Sequence, residues 1–311
     1  MADTRLFQTI LCPVDFSDHS RQALTYAALL ASRNQGRLVV MFVEDPMLAA
    51  AAAVAYDEKT LIDKARKELQ RLVERIVPQH GVPMSSVTID VAVGRPHEEI
   101  ARTAERMGCD VIVLGSQGRT GANRMMMGST THRILRRSPL PVLATPPVSG
   151  RSRGPAKGWP GKLVIAPLDI GARDRAAALA AAVAARELGT QLELVHIVEP
   201  ISSPPWIEID AERRNLQRQR RALARLTQLQ DEHAGVVTAV RVETGKPADA
   251  IAKIASSKHV GLVVMTRRPG QGLFGPRQGS ISYEVLCLAN TPVLALPSDK
   301  AWMRRIVGRR T

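Results

Sequence analysis

"TILCPVDFSDHSRQALTYAALLASRNQGRLVVMFVED", residues 9–45, changes its periodicity twice. Its two ends, "TILCPVD" and "RLVVMFVED", are short apolar runs bounded by polar residues, the pattern of strands buried on both faces of a parallel sheet. Between them Ala23, Leu24, Ala27, Leu30 and Ala31 recur on one helical face, with Ser17 and Asp18 as capping candidates and Gly36 as the stop. Strand, helix and strand make one βαβ unit, and such crossovers are almost always right-handed.

The same alternation continues outward. Residues 57–77 carry a second helical stripe, formed by Leu61, Ile62, Ala65, Leu69, Leu72, Val73 and Ile76, and "SVTIDVAVG" alternates as a strand does. A helix opens at Pro96 with Glu98 and Glu99 in its first turn; the strand "DVIVLG", a helix from about residue 129 and the strand "PVLATP" follow. This order predicts an α/β fold, a doubly wound parallel sheet of five strands with helices on both faces, Rossmann-like or flavodoxin-like in topology. Ligands of such sheets sit beyond the carboxyl ends of the strands, where the strand order reverses.

The whole pattern occurs twice. "LCPVDFSDHSRQAL" matches "VIAPLDIGARDRAAAL", placing Pro13 on Pro167 and Asp15 on Asp169, an offset of 154. "VGRPHEEIA" matches "TGKPADAIA", and "GSTTHRILRRSPLPVLATP" matches "GSISYEVLCLANTPVLALP", both at an offset of 151. A period of that length is a domain rather than a solenoid unit. The chain therefore divides into a first domain at 1–147, a Pro-, Gly- and Arg-containing linker at 148–161, a second domain at 162–299 and a basic tail at 300–311. The apolar final strands, "PVLATP" and "PVLALP", would each leave an edge open, so pairing of the two copies within one chain is expected, with a homodimer left open.

Between "DVIVL" and the helix that follows it stands "GSQGRTGANRMMMGST", residues 115–130, with glycines at 115, 118, 121 and 128. Glycines let a backbone approach a ligand closely, and a helix N-terminus favours an anion. Ser129 and Thr130 would add hydroxyl donors, and Arg119 and Arg124 positive charge. The loop is neither a Walker A sequence nor the dinucleotide fingerprint. In the second copy, "TRRPGQGLFGPRQGS" sets Thr266 and Pro269 where Gly115 and Gly118 stand, and Gly171 replaces Ser17. Proline has no N–H to offer a phosphate, so one good site per chain is expected.

The spacing of Gly115, Gly118 and Gly128-Ser129, with "PVDFS" at the end of the first strand and with "GRPHEEIA" and "SPLPVLATP", resembles the universal stress protein family over nearly the whole chain. That resemblance implies an ATP-binding regulatory module of the stress response, with or without Mg2+. Pro13, Asp15 and Val43 would line the adenine and ribose pocket, and Gly115, Gly118, Arg119, Gly121, Gly128, Ser129 and Thr130 would surround the phosphates. Two other readings compete. A slow ATP hydrolase is the weaker, because the loop offers no Asp, Glu or His before His132. A nucleotide-free scaffold is the other, and the intact first loop argues against it.

Bulk properties set the remaining expectations. A chain of 311 residues, 45% hydrophobic and 23% charged, has the composition of a globular protein rather than a disordered one. "MLAAAAAVAY" is too short to cross a bilayer, and the first residues lack a basic segment leading into an apolar one, so a cytoplasmic protein without membrane insertion is expected. Cys12, Cys109 and Cys287 lie far apart, as reduced structural thiols do, and the seven histidines make no metal pattern. The net charge of +14 comes largely from "RRNLQRQRRALARL" at 213–226, from "RSRGPAK" and from the tail, and is read as solvated helix faces. With 3% aromatic residues there is no stacking platform for single-stranded nucleic acid, and no specific nucleic-acid partner is expected.

Overall fold

The structure, a computed structural model, describes residues 6–52, 58–117, 127–148, 154–155, 158–201, 210–267 and 280–307. It divides into a first unit, Met1–Trp159, and a second, Pro160–Thr311.

The first unit runs β1 (Thr9–Val14), α1 (Asp18–Asn34), β2 (Arg37–Glu44), α2 (Pro46–Ala52), α3 (Glu58–Ile76), β3 (Val87–Val93), α4 (Pro96–Arg106), β4 (Val111–Gly115), α5 (Ser129–Arg137) and β5 (Val142–Thr145). The sheet order is β3-β2-β1-β4-β5, and every pairing is parallel. Ile10, Leu11 and Cys12 of β1 are fully buried, as a central strand covered on both faces must be. The α1 stripe faces that sheet: Ala23, Leu24, Ala27, Leu30 and Ala31 are all buried, and the small alanines bring helix and sheet close together. In α3 only the later part of the stripe, Leu69, Leu72 and Val73, is fully buried. The edge strand β3 is half-buried along nearly all its length, and Asp90 in its middle is held by Arg106 at 2.6 Å and by the Thr103 hydroxyl at 3.2 Å. Charge of this kind discourages another strand from adding to the edge. Burial raises the thiols of Cys12 and Cys109, the latter to about 12, so both behave as core residues rather than nucleophiles.

The second unit repeats the order: β6 (Leu163–Pro167), α6 (Asp174–Glu187), β7 (Gln191–Val198), α7 (Ala211–Glu232), β8 (Val237–Thr244), α8 (Pro247–Ala255), β9 (Val260–Arg267), α9 (Ile281–Leu288), β10 (Val293–Pro297) and α10 (Lys300–Val307). Its sheet order, β8-β7-β6-β9-β10, is the same as that of the first unit, again with parallel pairing throughout.

Two segments carry more structure than their composition announces. Trp159, at the end of the Gly/Pro-rich stretch, is buried within the first unit and sets its ring edge-on to Tyr26 of α1, with centroids 5.0 Å apart. The basic tail begins with α10, in which Trp302 and Ile306, one turn apart, are buried while Arg304 stays exposed. Arginines mask an amphipathic helix in a stretch that reads as uniformly basic.

β9 begins against the start of the second unit's own chain. A Cβ on Gly261 would lie 1.7 Å from the Pro160 carbonyl oxygen, an overlap that only backbone movement relieves. Gly261→Ala is expected to destabilise the second unit by about 3 kcal/mol, the upper part of the usual overpacking range. Thermal denaturation of the full chain, with amide exchange followed in β6 and β9, checks this; an unchanged transition contradicts it.

Candidate functional site

Three strand ends meet at the carboxyl edge of the first sheet. The chain passes outward from β1 through β2 to β3, then crosses back to lay β4 on the other flank of β1, so the order reverses between β1 and β4. Val14 pairs with Phe42, and one step further Asp15 leaves β1 while Val43 is still within β2, paired with Ala92 of β3; Pro13 stands just behind, opposite Met41. On the other flank Leu11 pairs with Ile112, a register that brings Val14 level with Gly115.

Asp15 is the hub of the turn into α1. Its Oδ1 accepts from the Ser17 N–H at 3.1 Å and from the Ser17 hydroxyl at 2.5 Å, while its own N–H donates to Ser20 Oγ at 3.3 Å. Ser17 Oγ in turn accepts the Ser20 N–H at 3.2 Å and caps α1. These bonds hold Phe16 at φ 63°, a left-handed conformation that costs a non-glycine residue about 1–2 kcal/mol. Packing of its ring on Phe42, centroids 4.9 Å apart, offsets part of that.

Gly115 ends β4 where a side chain would be a tight fit. A Cβ there would stand 3.1 Å from the His19 carbonyl oxygen and 3.0 Å from that of Gln117. The Gly115 carbonyl accepts the Thr131 hydroxyl at 2.7 Å, the Ser116 carbonyl accepts the Gly128 N–H at 2.8 Å, and the Ser116 N–H donates to Thr145 O at 3.1 Å. The start of α5 is thereby fastened to the ends of β4 and β5. Gly118, Arg119, Gly121 and Arg124 lie outside the described residues.

The N-terminus of α5 is the anion-attracting element of this edge. Gly128 caps it without a side-chain bond, and the first bond of the helix runs from the His132 N–H to Gly128 O at 2.9 Å. The N–H groups of Ser129, Thr130 and Thr131 have no acceptor within the helix, and they lie at the positive end of its dipole. Close by, Ser116 Oγ and Thr145 Oγ1 are buried with no hydrogen-bond partner among the described residues. Buried hydroxyls are nearly always satisfied, so these two are groups that a polar ligand at this edge would engage. Among the described residues no group of three or more His, Cys, Asp or Glu side chains is placed to hold a metal ion.

Residues 6–146 and 162–297 each match the model of the Universal stress protein family. The chain belongs to the universal stress protein family. Universal stress protein YxiE of Bacillus subtilis is 30% identical over 148 residues, 44% of this chain and 98% of its own length. A universal stress protein of Mycolicibacterium smegmatis is 25% identical over 301 residues, 92% of this chain and 96% of its own. Among solved structures, a universal stress protein from Archaeoglobus fulgidus shares the fold at a TM-score of 0.62 and 18% identity, covering 94% of this chain and 99% of that one.

The two universal stress protein units build the same edge differently. At the position of Ser20 the second has Asp174, a buried carboxylate that accepts Arg225 Nε at 2.9 Å, Arg225 Nη2 at 2.7 Å and the Gly171 N–H at 3.3 Å. At the position of Ser116 it has Arg267, which is buried; burial pulls its guanidinium down to about 10 against the opposing pull of Asp299. At α9 the Ser280 hydroxyl accepts the Tyr283 N–H at 3.3 Å, so this helix caps itself where α5 does not. Gly118's counterpart Pro269, with Gly279, lies outside the described residues. Sequence reading places Asp169 at this edge but misses Asp174 and Arg225, whose pairing spans 51 positions.

The hydrogen bonds from Arg225 hold the Asp174 carboxyl below its ordinary value although burial alone would raise it, and the Gly171 N–H adds to the effect. A carboxylate with a depressed folded-state pKa contributes stability that is complete above its unfolded value of about 4 and is lost as the pH falls through the folded value. Asp174→Asn is therefore expected to lower the melting temperature near neutrality, with the gap from the parent protein closing in acid. Melting curves across that range check it, and a gap independent of pH contradicts it.

Proposed function

We propose that the first unit is an adenine-nucleotide-binding regulatory module of the stress response, holding one ATP per chain. The observation that carries this reading is the N-terminus of α5, which no side chain among the described residues caps, at the strand-order reversal beside Asp15 and Val43. Backbone N–H groups at such a terminus receive phosphate oxygens, and the dipole favours their charge. Gly115, Gly118, Arg119, Gly121, Gly128, Ser129 and Thr130 would surround the phosphates, the buried Ser116 hydroxyl adding a donor. Pro13, Asp15 and Val43 would take the ribose and the base, Asp15 accepting from ribose hydroxyls. Mg2+ would enter with the phosphates as their counter-ion.

The contrast between the units supports a single site. The second unit's helix caps itself through Ser280, and its edge already holds a buried arginine. Regulation rather than catalysis is the better reading: Asp15 Oδ1 is engaged by Ser17, which suits a carboxylate that shapes a pocket.

Ser129→Asp separates ligand binding from folding. A carboxylate in the first turn of α5 complements the helix dipole, so the melting temperature of the free protein should hold or rise. The same charge repels phosphate, and ATP affinity by isothermal titration should fall on the order of tenfold or more from a parent stoichiometry of one per chain. Unchanged affinity places the nucleotide elsewhere, and two equivalent sites per chain contradict the contrast between the units.

A further inference from the structure

α7 repeats itself. "RRNLQRQ" at 213–219 is followed by "RRALARL" at 220–226, and seven residues are close to two turns, so each residue of the first copy returns to the same face about 10 Å along in the second. The repeat divides its arginines between two tasks. Arg218 and Arg225, seven apart, anchor the helix: Arg218 Nη1 donates to Glu199 O at 2.7 Å, and Arg225 pairs with Asp174. This corrects the expectation of a wholly solvated face. Arg213, Arg214, Arg220 and Arg221 are exposed, and among the described residues none of their guanidinium groups has a hydrogen bond or an ion pair. Three other exposed arginines, Arg21, Arg71 and Arg102, each find a carboxylate three positions away on their own helix, Asp18, Glu68 and Glu99.

At 3.6 residues per turn, Arg213 and Arg220 form the outward ridge of α7, with Arg214 and Arg221 on one shoulder and Leu216 and Leu223 on the other. Each leucine is 46% exposed. We infer that this face of α7 docks the second unit on an anionic lipid surface. Unpaired like charges on one helix repel one another and favour a partner that neutralises them. Arginine forks bind phosphate and carboxylate head groups in pairs of bonds, and leucines on a convex shoulder gain from the acyl boundary beneath. A helical peptide would need a groove, and this shoulder is convex; nucleic acid would leave both leucines in water. No helix among the described residues is long and apolar enough to cross a membrane, so contact is peripheral.

Sedimentation of the full chain with phosphatidylcholine vesicles, with and without phosphatidylserine, tests this. Binding is expected only with phosphatidylserine. Arg220→Gln with Arg221→Gln should weaken it on the order of tenfold, each arginine near such a surface counting for about as much as any other basic residue there. Leu216→Ser with Leu223→Ser should weaken it as well. Arg71→Gln with Arg75→Gln on α3 removes the same charge from another exposed helix and should leave binding unchanged. Equal weakening by the α3 pair, no response to the leucine pair, absence of binding to either vesicle, or tighter binding to a duplex oligonucleotide than to anionic vesicles overturns the assignment. Circular dichroism of each variant separates loss of binding from loss of fold.

Discussion

The first unit's site depends on how closely the end of β4 approaches the start of α1. A Cβ on Gly115 would stand 3.1 Å from the His19 carbonyl oxygen, a tight contact. That approach lets Thr131 reach the Gly115 carbonyl and draws α5 onto the same edge as Asp15. The glycine that ends β4 is thus favoured by packing before any ligand is considered. A larger residue there would make the neighbouring backbone give by a few tenths of an ångström.

Much of this was legible in the sequence because the signals are periodic. The five α1 positions read as a stripe are all buried, since helical spacing alone determines which residues face a sheet. The start of α5 at Ser129 follows from the glycine that precedes it. The parallel sheet, with ligands expected at the carboxyl ends of its strands, follows from the alternation of strand and helix, whereas the strand order comes from the structure. What the sequence does not carry is contact between distant positions. Nothing near Thr131 indicates that its hydroxyl serves Gly115, and nothing near Asp174 indicates Arg225. Phe16 in a left-handed conformation is also invisible, because glycine or asparagine is the usual sign of such a turn and a ring packed on Phe42 replaces it here. The buried Trp159 and α10 were obscured by composition, since glycine, proline and arginine around them dominate any local average.

The arginines show how charge divides into structural and free portions. Arg225 and Arg241 each meet a buried carboxylate, Asp174 and Glu193, and neither pair can lose a partner without stranding a charge away from water. The exposed arginines of α7 carry no such constraint, so helix position rather than residue type decides which positive charges belong to the fold.

The self-capping of α9 makes the difference between the two copies hard to reverse. Restoring glycines to the second loop would leave the Ser280 hydroxyl on a donor of the helix terminus and a buried arginine, Arg267, at the end of β9. In the reading proposed above the first copy keeps its helix terminus for a ligand, whereas the second has engaged its own with the Ser280 side chain.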